Sequence, residues 1–213
     1  MIAAVETLRN RIVFQRAVPA WHQLYCDIMA YQKVSIPKNG DGAGCATAKA
    51  SEIIIIDVDD IKEEPTRTVG NPAMDGDYTL NEGATAIAIY ATPSSIDLPE
   101  EYSGDADARG VKQGVAFEHP GNSVEIKGFT EAYMNRGVVI LVKECDGSAA
   151  GRTQAFGSKC NPLFMTVEST NNKDATKRKF TFKQELNDKF LPGDYSGTAV
   201  TVAAKAGANT EGA

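Results

Sequence analysis

The run Gly137-Val138-Val139-Ile140-Leu141-Val142 decides how this chain is read. Five consecutive large apolar residues, most of them β-branched, predict a buried strand. Asp146-Gly147 comes next, a strong hairpin signal. Immediately upstream, residues 118–136 read as a helix feeding that strand. Asn122 is placed to cap it, with Glu125 three residues on as in a capping box. Ile126, Phe129 and Tyr133 fall on one face at helical spacing. Gly137, after Asn135 and Arg136, is the expected C-cap. This is the most apolar and best punctuated part of the sequence, and none of it carries chemistry.

The composition bounds the rest. A chain of 213 residues fits one domain with long loops, or at most two small ones. Hydrophobic residues make up 42% and charged residues 23%, enough for an ordinary core. The net charge of −6 argues against wrapping tightly on nucleic acid, which needs clustered Lys and Arg, but leaves room for a surface that DNA slides past. No stretch approaches the ~18 apolar residues of a membrane span. Met1 to Arg16 has scattered charges and no continuous apolar core, so it is not read as a signal peptide, and synthesis inside the cell is expected. Cys26, Cys45, Cys145 and Cys160 form no CxxC pair and match no zinc spacing. They are read as free, mostly buried thiols, with two disulfides formally open.

Along the chain, Arg11 to Val18 reads as extended. Trp21, Leu24, Tyr25, Ile28 and Met29 then recur at amphipathic helical spacing behind Pro19. Asn39 to Lys49 is a Gly- and Ala-rich loop. Ser51 to Asp59 contains Ile53-Ile54-Ile55-Ile56, a strand buried on both faces. Lys62 to Glu82, punctuated by Pro65, Gly70, Pro72 and Gly76, reads as a long loop. In Ala84 to Ala91, Ile87 and Ile89 alternate with Ala86, Ala88 and Tyr90 as in a strand. Thr92 to Gly110 is a second long loop, acidic at Asp97, Glu100, Glu101, Asp105 and Asp107. Loops of that length inside a small domain are usually functional or disordered. Val111 to Glu118 is a strand leading into the helix.

Candidate chemistry is sparse. His22 and Cys26 are four apart on the N-terminal helix, but no third ligand is apparent, and they read as one flank of a packed helix. Gly40-Asp41-Gly42-Ala43-Gly44 lacks the Lys-Ser/Thr of a P-loop, and the loop from Asn39 lacks a calcium loop's final Glu. Asp57, Asp59 and Asp60, with Glu63 and Glu64 beyond, form an acidic cluster. It reads as a solvated strand end, with a divalent cation as the sharper alternative. Leu80 stands where a calcium loop begun at Asp75 needs Gly. Glu118 and His119 are adjacent and point to opposite faces of a strand, so they do not form an acid–base pair. No GxSxG, HExxH or spaced Ser/His/Asp set occurs. The sequence asks for no enzyme activity, cofactor or metal.

The C-terminal third reads as a β-meander: Arg152 to Phe156, Leu163 to Glu168, Lys177 to Glu185 and Thr198 to Ala203. In the third of these, Arg178, Phe180, Phe182 and Gln184 alternate with Lys177, Lys179, Thr181 and Lys183, one aromatic face and one basic face. With Lys173 these make the only basic cluster, which reads as a charged sheet face meeting an acidic neighbour, or solvated. The total is about eight strands, a flanking helix and an N-terminal helix. That is an α+β, mainly β, chain: an antiparallel β-barrel or sandwich. Residues 1–50 are an N-terminal arm with an amphipathic helix, 51–203 the β domain with its long loops, and 204–213 a loose tail.

This ordering resembles the tail-tube proteins of tailed bacteriophages and the related tube proteins of contractile injection systems. The resemblance covers about residues 51–203. It is carried by Glu118-His119-Pro120-Gly121 and the helix, by Val138–Val142, and by the meander to Pro192-Gly193-Asp194-Tyr195. It is one of pattern, since the family has no short motif, and the Trp21 helix departs from it. What it implies is a non-enzymatic virion protein, made in the host cytoplasm, that forms homo-oligomeric rings with itself. These rings contact other virion proteins, stack into a tube through which DNA passes non-specifically, and involve no membrane. Asp97, Glu100, Glu101, Asp105 and Asp107 on the acidic loop, against Lys177, Lys179 and Lys183 on the basic strand, are the expected assembly residues. The alternatives are a head–tail connector, terminator or baseplate component, or a β-sandwich module binding carbohydrate or protein. A small enzyme with a metal at Asp57, Asp59 and Asp60 stands third.

Overall fold

The computed structural model describes residues 33–38, 40, 44–145 and 151–205. The chain divides into two units at Ile36/Pro37, and every strand and helix named below belongs to the second. Its strands are β1 (Ala48–Asp57), β2 (Ile61–Glu63), β3 (Thr66–Thr68), β4 (Asn71–Asp75), β5 (Thr79–Leu80), β6 (Ile87–Tyr90), β7 (Glu100–Ser103) and β8 (Gly110–Pro120). The helix α1 (Val124–Ala132) is followed by β9 (Val138–Cys145), β10 (Arg152–Phe156), β11 (Leu163–Asn171), β12 (Thr176–Gln184) and β13 (Gly193–Tyr195). The Arg11–Val18 segment, the Trp21 helix, His22, Cys26 and the Asp146-Gly147 turn lie outside the described residues.

The two isoleucine- and valine-rich runs are paired strands. β1 and β9 run antiparallel, with Ile53 opposite Val142, Ile54 opposite Leu141, Ile55 opposite Ile140 and Ile56 opposite Val139. Side chains alternate across a strand, so the pair feeds two cores. Ile53, Ile55, Val138, Ile140 and Val142 enter one, with Phe117, Phe156, Leu163, Phe180 and Phe182. Ile56, Val139 and Leu141 enter the other, with Met74, Tyr78, Ala155 and Tyr195, and the partly buried Ile54 packs against it. A strand apolar at every position is what two cores require. Each fully buried Val or Ile contributes about 1.5–3 kcal/mol relative to exposure.

The sheet branches at β9. One edge pairs with β1, which pairs on with β6. The other edge pairs with β10 over Ile140–Glu144 and touches β11 at Val138. From β10 the sheet continues to β13, β4 and β3, and from β11 to β12, β8 and β7. Pairing is antiparallel except for the parallel step from β13 to β4. The result is a large mixed sheet of eleven strands, with β2 and β5 as a separate ribbon. As hydrogen-bonded, the branches end at β3, β7 and β6, and the sheet does not close into a barrel.

α1 covers the first core through Ile126, which is buried, and through Phe129 and Tyr133. The Phe129 ring meets Phe180 edge-on, with centroids 5.9 Å apart. Two caps differ from the sequence reading. Ser123 is the N-cap, its Oγ accepting from the Ile126 amide. Asn122 instead accepts from Arg178 Nε and Nη2 at 2.9 and 2.8 Å, tying the helix to β12. The helix ends at Tyr133. Gly137 is required by a close approach rather than by a left-handed turn: a Cβ there would lie 2.7 Å from Pro162 Cγ.

Neither long loop is one. Lys62–Glu82 contains most of β2 and all of β3, β4 and β5, with a left-handed Gly70 (φ 85°) between β3 and β4. Thr92–Gly110 is laid along β8. Thr92 donates to Glu118 O, Asp97 and Ala116 exchange both backbone bonds, Gly114 donates to Pro99 O, and β7 completes the run. Ile96 and Leu98 from this segment pack on the first core. β1 starts at Ala48, inside the predicted Asn39–Lys49 loop. Thr198–Ala203 is not a full strand but a single parallel bridge, Ala86 to Val202, and β13 precedes it. Cys45, Cys145 and Cys160 are free as expected but exposed rather than buried.

The two-core arrangement predicts that truncating either face of β9 is costly. Ile140→Ala on one face, and Val139→Ala or Leu141→Ala on the other, should each lose ~1–4 kcal/mol in a thermal or urea unfolding series. Equal stability to wild type at all three positions would remove β9 from the core.

Candidate functional site

The predicted assembly residues fall on the β7–β8–β12 part of the sheet. Alternation along β12 is as read. Phe180, Phe182 and Gln184 are buried, while Lys177, Lys179 and Lys183 lie on the other face. The neighbouring strands place carboxylates against that basic row. Lys179 is in register with Glu118 on β8 and Glu168 on β11. Lys177 Nζ donates to both oxygens of Glu118 at 2.8 and 2.9 Å. Lys183 stands opposite Gly114, and its Nζ pairs with Glu101 on β7. That hydrogen bond holds the Glu101 carboxyl below its ordinary range.

Acidic segment and basic strand are therefore not separated surfaces. They lie in one sheet on either side of β8, and part of their charge is neutralised within the chain. Glu100 accepts from the Tyr102 hydroxyl at 2.7 Å, which pushes the Tyr102 phenol up. Asp97 is held by its backbone bridge to Ala116. Asp105 and Asp107 sit in the exposed turn between β7 and β8, Asp107 at a left-handed φ of 69°. Both carboxylates are without a side-chain partner among the described residues.

The Asp57 cluster is structural. Asp57 is 4% exposed at the end of β1. One carboxylate oxygen accepts from the Asp59 amide at 3.0 Å, capping the short 3-10 turn Val58–Asp60. The other accepts from Arg136 Nη1 at 2.6 Å, which raises the guanidinium pKa. Among the described residues no group of three or more His, Cys, Asp or Glu side chains is arranged to hold a metal ion. Glu118 and His119 have different partners: Glu118 binds Lys177, and His119 Nδ1 lies 2.8 Å from Tyr90 O. No helix of the described residues is long and apolar enough to cross a membrane.

A further opening was not anticipated from sequence. It is a cleft of about 770 Å³ between the β2–β3 connection, the turn after β10 and the segment between β12 and β13. Buried Gln113 lines it, backed by buried Gln184. Gln113 on β8 donates to Phe190 O and accepts from the Gly157 amide, and Gln184 accepts from the Gln113 amide. Those side chains hold the 186–190 segment in place. Arg67 and Lys189 flank the Phe190 ring at 5.0 and 4.9 Å from its centroid. The legible signal was a Gln at each of two otherwise apolar strand positions, since a buried amide is retained where it bonds backbone.

Comparison with protein-family models, with curated proteins and with solved structures found no match.

The two kinds of charged contact should behave differently on mutation. Asp57→Ala removes a buried cap and should cost about 1–2 kcal/mol. Lys183→Gln on the exposed sheet face should leave the urea midpoint unchanged within error, because exposed pairs add little. A larger loss at Lys183 than at Asp57 would reverse this ranking.

Proposed function

We propose that this protein is a non-enzymatic virion structural protein that assembles with copies of itself into rings, stacked as a phage tail tube through which DNA passes. On this reading the branched sheet curves around the Phe117–Phe180–Phe182 core as a barrel-like or sandwich layer, and the protein's place is the virion.

The observation that carries the proposal is the open sheet ends at β7 and β3, two of the three ends of the branched sheet. The backbone bonds from Gly114 to Pro99 and from Ala116 to Asp97 set the phase of the edge segment. Residues 101 and 103 turn their main chain toward β8, and 100 and 102 turn theirs outward. Tyr102, 67% exposed, thus presents both a free backbone edge and an aromatic ring to solvent. β3 ends the other branch. An exposed edge is a template for another strand, and a heterologous edge contact closes into a ring when its rotation allows. The acidic net charge suits a lumen that does not hold DNA.

Because Glu101–Lys183 and Glu118–Lys177 are satisfied within the chain, contacts between copies rest on strand edges more than on the charge pairing read from sequence. A connector, terminator or baseplate role uses the same edges. A binding module is the second reading, favoured by the cleft beside Phe190.

Sedimentation velocity and negative-stain microscopy test the proposal. Wild type should form rings or tubes with rising concentration. Tyr102→Pro removes an outward N–H without touching the β7–β8 ladder, a substitution edge strands tolerate. It should leave a folded monomer. A wild type that stays monomeric at every concentration and salt would overturn the ring reading and leave the binding module in its place.

A further inference from the structure

We propose that the cleft at Arg67, Phe190 and Lys189 is a binding site for an oxyanion, the carboxylate or phosphate of a small ligand. Glu64 and Asp188 line this cleft together with Arg67 and Lys189, but neither cation is in an ion pair with them. Arg67 Nη1 donates to Leu191 O, a neutral carbonyl, and Nε is buried with no partner. No carboxylate among the described residues forms an ion pair with Arg67 or with Lys189.

The nearby acids are engaged elsewhere. Asp188 caps the Phe190 amide at 3.0 Å and accepts from Gln184. Asp194 pairs with Arg152. Glu64 accepts from the Lys159 amide at 2.8 Å. A partly desolvated guanidinium is normally paired, because its burial is costly unless an anion offsets it. Burial indeed holds the Arg67 pKa below its ordinary value, against the opposing field of Asp188.

Shape agrees with charge. The volume of about 770 Å³ lies in the range of small-molecule sites. Arg67 lies against the Phe190 face, which limits the rotation of the guanidinium plane; with Nε buried and Nη1 on Leu191 O, Nη2 is the nitrogen left for an anion. Lys189, 4.9 Å from the same ring, supplies a second positive charge in the lining. Met74 and Tyr78 add apolar wall for the ligand's remaining atoms. The site uses neither Tyr102 nor the outward main chain of β7, but through Arg67 it shares β3 with the other sheet end of the ring reading, so binding is measured at concentrations where the protein is monomeric.

Isothermal titration at constant ionic strength tests it, with inorganic phosphate and acetate as separate probes and chloride as the balancing salt. At least one probe should bind saturably, and which one binds tells phosphate from carboxylate. Arg67→Gln should weaken that probe about 10–100-fold, the worth of a charged hydrogen bond. Lys189→Gln, at an exposed side chain, should weaken it about three- to fivefold. Lys177→Gln, on β12, should bind as wild type. If Arg67→Gln fails to fold, Lys189→Gln decides. Absence of saturable binding by both probes, or wild-type affinity in the folded cleft variants, overturns the site.

Discussion

The pairing of β1 with β9 is the constraint on which the rest of the structure depends. Two strands apolar on both faces must be covered on both faces, and most of the remaining elements do so. The helix, β8, β11 and β12 cover one side with Ile126, Phe117, Leu163, Phe180 and Phe182. Met74, Tyr78 and Tyr195, from β4, the β4–β5 connection and β13, cover the other. The branching at β9 is the geometric consequence. β10 follows one edge only as far as Ile140, and β11 takes up the same edge at Val138. One strand thereby seeds two directions of sheet.

Electrostatics in this protein is mostly local. The basic strand β12 lies beside β8, with the acidic β7 on the far edge of β8, so Lys177 finds Glu118 on β8 and Lys183 finds Glu101 on β7 within the same chain. The buried Asp57 is likewise consumed by a cap and by Arg136. Arg67 is different. It joins β3 to the segment before β13 through Leu191 and Phe190, yet has no counter-charge in contact.

Much of the frame was legible because it rests on hydrophobic period. Ile53–Ile56, Val138–Val142 and the alternation of Phe180 and Phe182 each name their own burial, and the structure places them so. What sequence missed is held by backbone pairing rather than by apolar pattern. β3 and β4 are three and five residues long, and Pro72 inside β4 argues against a strand by the ordinary rule. β7 carries Glu100, Glu101 and Tyr102, a polar edge strand without alternation to betray it. Ser123 and Asn122 are both good caps, and Arg178, 56 residues away, draws Asn122 out of the competition. The cleft was invisible for the same reason. It is assembled from Arg67, Gln113 and Phe190, residues far apart in the chain and each ordinary alone.

If the β1–β9 pair anchors the fold, it is the last part to open and the sheet ends are the first. Native-state hydrogen exchange measures this directly, since amides report local and global opening separately. The amides of Ile54, Ile56, Ile140 and Val142 should exchange only through global unfolding, with the denaturant dependence of the whole domain. Those of Thr66, Thr68 and Tyr102 should exchange by local opening, faster by orders of magnitude. Fast local exchange at Ile140 and Val142, with protection centred on β7 or β3 instead, would contradict the anchoring role of the pair.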